Sequence, residues 1–290
     1  MINISDEEYS RLFVYIKQNY GIDLSEKRGL LQSRLQEVLH NRGCKSFSEY
    51  ISLIRADNTG KLVTEMIDSV TTNYTFFLRD RKQFLFYKNT VLPYIKKRYE
   101  NEKTLRVWSA ACSSGEEAFT LAMINNDFFG DSKDWSEKVL ATDICSEVLQ
   151  KAVSGEYDNR KLIYVPNKWI KRYFERKDNS KSKVCDKIRE QVIFKRFNLM
   201  DKTFPFDKKF QVIFCRNVMM YFDKETKIQL LHRFYKSLEP GGYLFVGSSE
   251  ELDYCENNEF TYIKPCVYTK IPSQSQIGLS FINRCGKYST

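Results

Sequence analysis

Through the first seventy residues, apolar side chains recur at three- and four-residue intervals. Ser5 and Glu8 carry the spacing of a capping box, and Tyr9, Leu12, Phe13, Ile16 and Tyr20 follow at helical spacing before Gly21. A second helix is predicted through EKRGLLQSRLQEVLHNR, stopping at Gly43. A third begins at a Ser46–Glu49 box and runs on through Phe47, Tyr50, Ile51 and Ile54; a fourth covers roughly residues 61–70. The expectation is an all-α N-terminal domain over 1–70, with residues 71–103 as a linker and interdomain helix.

From about residue 104 the period changes. LRVWSA, KVLATDI, VIFKRFNLM, FQVIFCRNVMMYF, YLFVGSSEE and TYIKPCVYTKI read as strands, and EEAFTLAMINNDFF, SEVLQKAVSG and KETKIQLLHRFYKSL as helices between them. Such alternation predicts an α/β domain over 104–270, a mostly parallel sheet with helices on both faces. Ligands of such sheets bind beyond the carboxyl ends of the strands. Residues 155–190 break the alternation: they are basic and aromatic (YVPNKWIKRYF), show no clear helix–strand unit, and are read as an inserted subdomain. Residues 271–290 are polar with few apolar anchors and are expected to form a loose tail. No internal repeat is present.

Composition narrows the class. Hydrophobic residues make up 42% and aromatic residues 14% of the 290, which predicts packed domains rather than disorder. No run of ~18 apolar residues exists, so no transmembrane helix is expected. The opening MINISDEEYS lacks the basic and apolar regions of a signal peptide, and a cytoplasmic protein is expected. The eight cysteines form no CxxC pair and only two histidines occur; reduced thiols and no metal site are expected. The net charge of +9 is uneven: residues 155–196 hold 13 basic and 6 acidic side chains, whereas residues 1–70 hold 9 and 10. A patch of that kind suits nucleic acid, an anionic membrane, an acidic protein, or plain solvent.

Candidate chemistry gathers at strand ends. In LRVWSAACSSGEEAFTLAM, residues 105–123, a buried strand meets one glycine, Gly115, and then Glu116 and Glu117 at a helix start. A dinucleotide fingerprint wants three glycines, and carboxylates at that point suit the helix dipole but repel phosphate. A ligand with an adenosine, a sulfonium and an amino group, such as S-adenosylmethionine, fits these charges better than NAD. Asp143 ends the next strand, where a carboxylate accepts from ribose hydroxyls. FCRNVMMYFD, residues 214–223, ends an apolar strand in Arg216 and Asn217 and continues to Tyr221. A guanidinium there needs partners, since an unpaired buried charge is costly. TTNYTFFLRD, residues 71–80, reads either as a linker or as a lid bringing Arg79 to the site.

Together these segments resemble the CheR family of chemotaxis protein methyltransferases. TTNYTFFLRD, RVWSAACSSGEEAFTLAM, ATDICSEVLQKAVSGEY, NLMD, FQVIFCRNVMMYFD and LEPGGYLFVGSSEEL occur in the family's order at similar spacing, over roughly residues 5–270. The resemblance implies a Rossmann-like S-adenosylmethionine-dependent methyltransferase domain with a small inserted antiparallel β-subdomain, preceded by an all-α domain. It implies methyl transfer to glutamate side chains on chemoreceptor cytoplasmic helices, with S-adenosylhomocysteine as product. Carried over position by position, the cofactor contacts fall on Asn73, Thr75, Arg79, Glu116, Asp143, Asn198, Leu199, Arg216 and Asn217. Asp143 would hold the ribose, and Asn198 and Leu199 would frame the adenine. Arg79 would pair with a carboxylate of cofactor or substrate, and Tyr221 matches a tyrosine near the transferred methyl. Tyr74 and the Ala118–Phe119 pair depart from the family pattern, outside those contacts. The implied partners are the receptor helical region and a receptor C-terminal peptide, met by a monomer that inserts in no membrane.

A glutamate is ionised at neutral pH, with a reference pKa of ~4.3, and needs no general base. That agrees with a chain whose only histidines are His40 and His232. Lys27, Arg28, Arg34, Arg42 and Lys45 on the second helix offer charge complementary to a glutamate-bearing helix. Three rivals remain at this point. A nucleic-acid methyltransferase lacks its proline-bearing motif in CRNVMMYFD, a non-catalytic S-adenosylmethionine-binding module has no use for Arg79 and Tyr221, and an NAD oxidoreductase is opposed by the single glycine.

Overall fold

The structure, a computed structural model, describes residues 2–130, 134–250, 252 and 259–271. Of the tail expected over 271–290, residues 272–290 lie outside the described residues. Four helices open the chain: α1 (Asp6–Tyr20), α2 (Arg28–Asn41), α3 (Phe47–Ala56) and α4 (Lys61–Val70). The Ser5 hydroxyl accepts from the Glu8 amide at 3.2 Å and the Glu8 carboxylate accepts from the Ser5 amide at 2.8 Å, closing the box. Glu8 also accepts from the Ser48 amide and hydroxyl at 2.7 Å, tying α1 to α3. At α3 the box closes differently: Ser46 accepts from Glu49 as expected, but the Glu49 carboxylate reaches the Lys45 amide at 2.6 Å instead of the Ser46 amide. Leu12, Ile16, Leu31, Leu35, Leu39, Phe47 and Ile67 fill a core of their own between these helices.

A bent helical segment follows: α5 (Arg81–Phe86), a π-helical turn over Tyr87–Val91, and α6 (Leu92–Arg98). Pro93 has no N–H to give to the carbonyl four residues back, and the π turn sits just ahead of it. Then come β1 (Thr104–Ala110), α7 (Glu116–Phe129), β2 (Ser136–Asp143) and α8 (Ser146–Ser154). The insert holds β3 (Glu156–Asp158), a 3₁₀ turn (Asn159–Leu162), α9 (Asn167–Tyr173), β4 (Phe174–Arg176) and β5 (Lys181–Val184). After it run α10 (Asp186–Arg189), β6 (Val192–Arg196), β7 (Phe210–Cys215), α11 (Lys224–Ser237), β8 (Leu238–Val246), β9 (Phe260–Lys264) and β10 (Val267–Lys270).

Seven strands form one sheet in the order β6-β2-β1-β7-β8-β10-β9. The first five are mutually parallel and the last two antiparallel. The reversal of order beside β1 opens the crevice where doubly wound sheets bind ligands. Two apolar layers sandwich the sheet. On one face Phe214 and Phe245 stack at 4.2 Å with Tyr87 edge-on to them. On the other, Trp108 is ringed by Phe197, Phe204, Phe206, Phe210 and Phe234, and its indole N–H donates to the Thr142 hydroxyl at 2.9 Å.

One reading of the sequence changes here. TYIKPCVYTKI is a hairpin of two strands, not one strand: Cys266 takes a left-handed turn at φ 64° after Pro265. The inserted antiparallel β-subdomain that the resemblance implies is present within residues 155–190, as a three-stranded sheet in the order β3-β5-β4. Its strands are three or four residues long, too short for a period to register. No helix among the described residues is long and apolar enough to cross a membrane.

Candidate active site

At the carboxyl end of β1 the chain makes three left-handed residues in five: Ala111 (φ 64°), Ser113 (φ 49°) and Gly115 (φ 92°). Only the last is glycine, and space decides why. A Cβ on Gly115 would lie 2.9 Å from the Ala152 methyl and 3.2 Å from both the Phe194 ring and the Tyr157 hydroxyl. The loop is therefore pressed onto α8, β6 and the insert. Its amides are largely spent inside the protein: Cys112 donates to Thr142 O, Ser113 to the Asp143 carboxylate at 2.8 Å, and Gly115 to Cys112 O. Few remain for a phosphate, whose binding at a helix start depends on them.

Above this loop lies a cavity of about 1190 Å³, its open mouth included. It is bounded by the loop, the ends of β2 and β7, the 71–79 linker, and residues from α1, α2 and their connection. The structure brings together Asn73, Thr75, Arg79, Asp143, Asn198, Leu199, Arg216, Asn217 and Tyr221, all of them lining it. Glu116 is the exception. Its side chain is fully buried below the loop, accepting from Ser114 Oγ at 2.7 Å and paired with Lys161 at 2.6 Å. Glu117 lines the cavity in its place. Successive helical residues point about 100° apart, so adjacent glutamates at the start of α7 cannot share a face.

Glu117 belongs to a buried charge network. Its carboxylate accepts from Ser109 Oγ at 2.7 Å and from the Arg216 guanidinium at 2.8 Å. Arg216 also donates to the Asp80 carboxylate at 2.6 Å and to Arg79 O at 2.7 Å, and lies 5.2 Å from the Phe84 ring centre. The partners a strand-end guanidinium needs are thus Asp80 and Glu117. Asp143 accepts one backbone N–H on each oxygen, from Ser113 and from Cys145. Its pKa is nonetheless raised, because burial outweighs those two bonds. Each oxygen keeps a lone pair for a hydroxyl. The cysteines nearby are not nucleophiles: burial pushes Cys112 well above the ordinary thiol range and Cys145 up to about 11. No histidine lines the cavity.

Asn217 is left-handed at φ 60°, its amide held by Glu250 at 2.7 Å, and Glu250 also accepts from Met220 and Gly247. That staple sets the backbone leading to Tyr221. Tyr221 O accepts from the Asp23 amide at 2.8 Å, and Asn198 donates to Asn19 O at 2.8 Å, so the helical region closes the cavity from above β7. Lys27, read in the sequence as charge complementary to a glutamate-bearing helix, lines the cavity 5.7 Å from the Tyr221 ring centre.

The profile described as CheR methyltransferase, SAM binding domain, matches residues 73–268, and that described as CheR methyltransferase, all-alpha domain, matches residues 7–71. The chain belongs to the CheR methyltransferase family. It is 40% identical over 274 residues to a chemotaxis protein methyltransferase of Borreliella burgdorferi, covering 93% of this chain and 96% of that one. It is 36% identical over 270 residues to the chemotaxis protein methyltransferase of Escherichia coli, covering 91% of each. As a CheR chain it is an S-adenosylmethionine-dependent methyltransferase of chemotaxis.

The cavity of this CheR chain fits that cofactor. Asp143 offers acceptors for two ribose hydroxyls, and Glu117 places a second carboxylate in the lining. Among the described residues no cluster of three metal-ligating side chains occurs.

Proposed function

We propose that this enzyme esterifies glutamate side chains on the cytoplasmic helices of chemoreceptors. One observation supports this reading above others: among the described residues, the cavity wall carries no free base. No histidine is among the lining residues, burial raises the pKa of the lining thiol of Cys112, and the carboxylates of Glu117 and Asp143 are tied to Arg216, Ser113 and Cys145. An acceptor that must lose a proton has no group here to take it. A glutamate arrives already ionised.

When bound, S-adenosylmethionine supplies a methyl group on a positively charged sulfur. Asp143 takes the ribose hydroxyls, Asn198 and Leu199 flank the adenine, and Asn73, Thr75, Arg216 and Asn217 complete the wall. Of the two adjacent glutamates, Glu117 and not Glu116 would face that ligand. Arg79, whose guanidinium donates to Tyr74 O at 3.0 Å, is placed to clamp a carboxylate. The Tyr221 hydroxyl makes no hydrogen bond among the described residues and is available to orient the acceptor. Transfer between an anion and a cation destroys charge, so the protein gains rate by holding the two groups in line and excluding water rather than by stabilising either ion. The helical region over the mouth serves that exclusion.

The enzyme acts in the cytoplasm as a monomer in this reading. The outer edge of β4, paired only on its β5 side, is a place for a receptor C-terminal peptide to add a strand. The test is incubation of purified protein with tritiated cofactor and receptor cytoplasmic fragments. Base-labile label mapped to glutamate by mass is expected, and Arg79→Ala lowers it at least tenfold. Label on nucleic acid, or tight cofactor binding without transfer to any receptor, overturns the reading.

A further inference from the structure

The three most exposed large apolar side chains among the described residues are Tyr74 at 74%, Ile163 at 70% and Tyr164 at 60%. Two separate segments supply them, the 71–79 linker and the turn after β3, and Tyr74 and Tyr164 meet across Phe76 at the cavity edge. Tyr74 packs on Phe76 at 5.9 Å between ring centres, and Phe76 packs on Tyr164 at 5.3 Å. Tyr74 and Phe76 line the cavity themselves, and the Arg79 guanidinium lies 5.9 Å from the Phe76 ring. Phe77, the next residue, points the other way. It is 1% exposed and sits edge-on to Tyr157 and Phe174 of the insert. The ladder of rings is therefore bolted to a rigid base while its outer faces meet water.

We propose that this aromatic rim seats apolar side chains flanking the target glutamate on the substrate helix. The proposal rests on the glutamate-methylating reading above and names what the substrate must carry beside its carboxylate. An exposed apolar patch continuous with a cavity marks a docking surface. The occupant follows from geometry: a carboxylate on a helix that enters this mouth brings the residues three and four positions away against the rim, because those share its face. Arg79 gives the rim one cation for the acceptor; the rings give it apolar area for the neighbours. Substrate sites with apolar residues one turn from the glutamate are preferred, and sites with charged residues there are discriminated against.

Kinetics with a chemoreceptor cytoplasmic fragment test this. Tyr164 is exposed, so Tyr164→Ser leaves folding intact, as circular dichroism checks. The substitution raises KM for the fragment about tenfold, the size of one aromatic anchor lost from an interface, while the affinity for S-adenosylhomocysteine stays fixed. Replacing the apolar residues one turn from the methylated glutamate by serine raises KM equally for the unaltered enzyme and adds little with Tyr164→Ser. A photo-crosslinking residue at position 164 captures the fragment within about two helical turns of that glutamate. An unchanged KM in both Tyr164→Ser and Tyr74→Ser overturns the proposal. So does a weakened cofactor affinity, which would assign the rim to the cofactor, or a shift from dimer to monomer in sedimentation, which would assign it to a second copy. Absence of any glutamyl ester with the unaltered enzyme overturns the functional reading, and the rim's occupant with it; transfer that ignores Tyr164 overturns the rim alone.

Discussion

The cavity has two walls built on different physics. The sheet wall is charge locked away from water: Arg216, its side chain 2% exposed, is bound to Glu117, Asp80 and Arg79 O, and Asp143 is gripped by two backbone amides. The helical wall leans on backbone and surface contacts. Asp23 N–H meets Tyr221 O, Asn198 meets Asn19 O, and Lys17 bridges Asp23 at 3.3 Å and Asp223 at 3.0 Å. From the same side the Asp68 carboxylate accepts from Ser146 and Glu147 at the start of α8. Removing a partner from a buried pair leaves an uncompensated charge and costs several kcal/mol, whereas an exposed pair is screened. The sheet wall is thus the more strongly held of the two.

Substitutions can break that contrast. Arg216→Ala should have the largest effect, lowering unfolding free energy by about 3–5 kcal/mol in urea melts and weakening cofactor binding in calorimetry. An unchanged midpoint would mean the network is not buried in solution. Gly115→Ala comes next. A left-handed φ and a Cβ contact of 2.9 Å with Ala152 should cost about 1–3 kcal/mol. Glu137, at the other end of β2 from Asp143, is a control remote from both walls. Burial raises its pKa to about 7, and one of its carboxylate oxygens is buried without a hydrogen bond. The native state then holds a proton that the unfolded chain has lost between pH 4.5 and 7, so stability is fullest below pH 4.5 and falls as pH rises through 7. The loss is on the order of 1 kcal/mol, since partial access of water trims the full shift. Glu137→Gln should flatten that slope in melts at pH 5 and 8 without altering cofactor affinity. Smallest of all is Lys17→Met on the helical wall, whose unfolding midpoint should stay within experimental scatter at physiological salt. A large drop would make that wall a locked one too.

What the sequence discloses follows the range of the forces involved. Helices α1 to α4 and strands β1, β2, β7 and β8 are legible because their signals, periodicity and the Ser5–Glu8 cap, lie within a few neighbouring residues. Residues 155–190 give away their charge but no strand period of their own, and their β-subdomain is legible only through the family resemblance, because strands of three or four residues draw their order from partners. At the site, the need of Arg216 for partners is inferable from the cost of burying it, yet Asp80 and Glu117 stand 136 and 99 residues away and no local pattern names them. Glu116 and Glu117 look equivalent along the chain. Only the packing of the insert, which supplies Lys161 to one and not the other, separates them.

The insert reaches beneath the cofactor loop at two points: the Tyr157 hydroxyl donates to Ser114 O at 2.6 Å, and Lys161 neutralises Glu116. Its ends meet, since the Val184 amide donates to Gly155 O at 2.9 Å, which makes it look like a cassette ready for exchange. A chimera that grafts another insert onto this chain must therefore carry a tyrosine and a lysine at those two places, or the loop after β1 loses its prop.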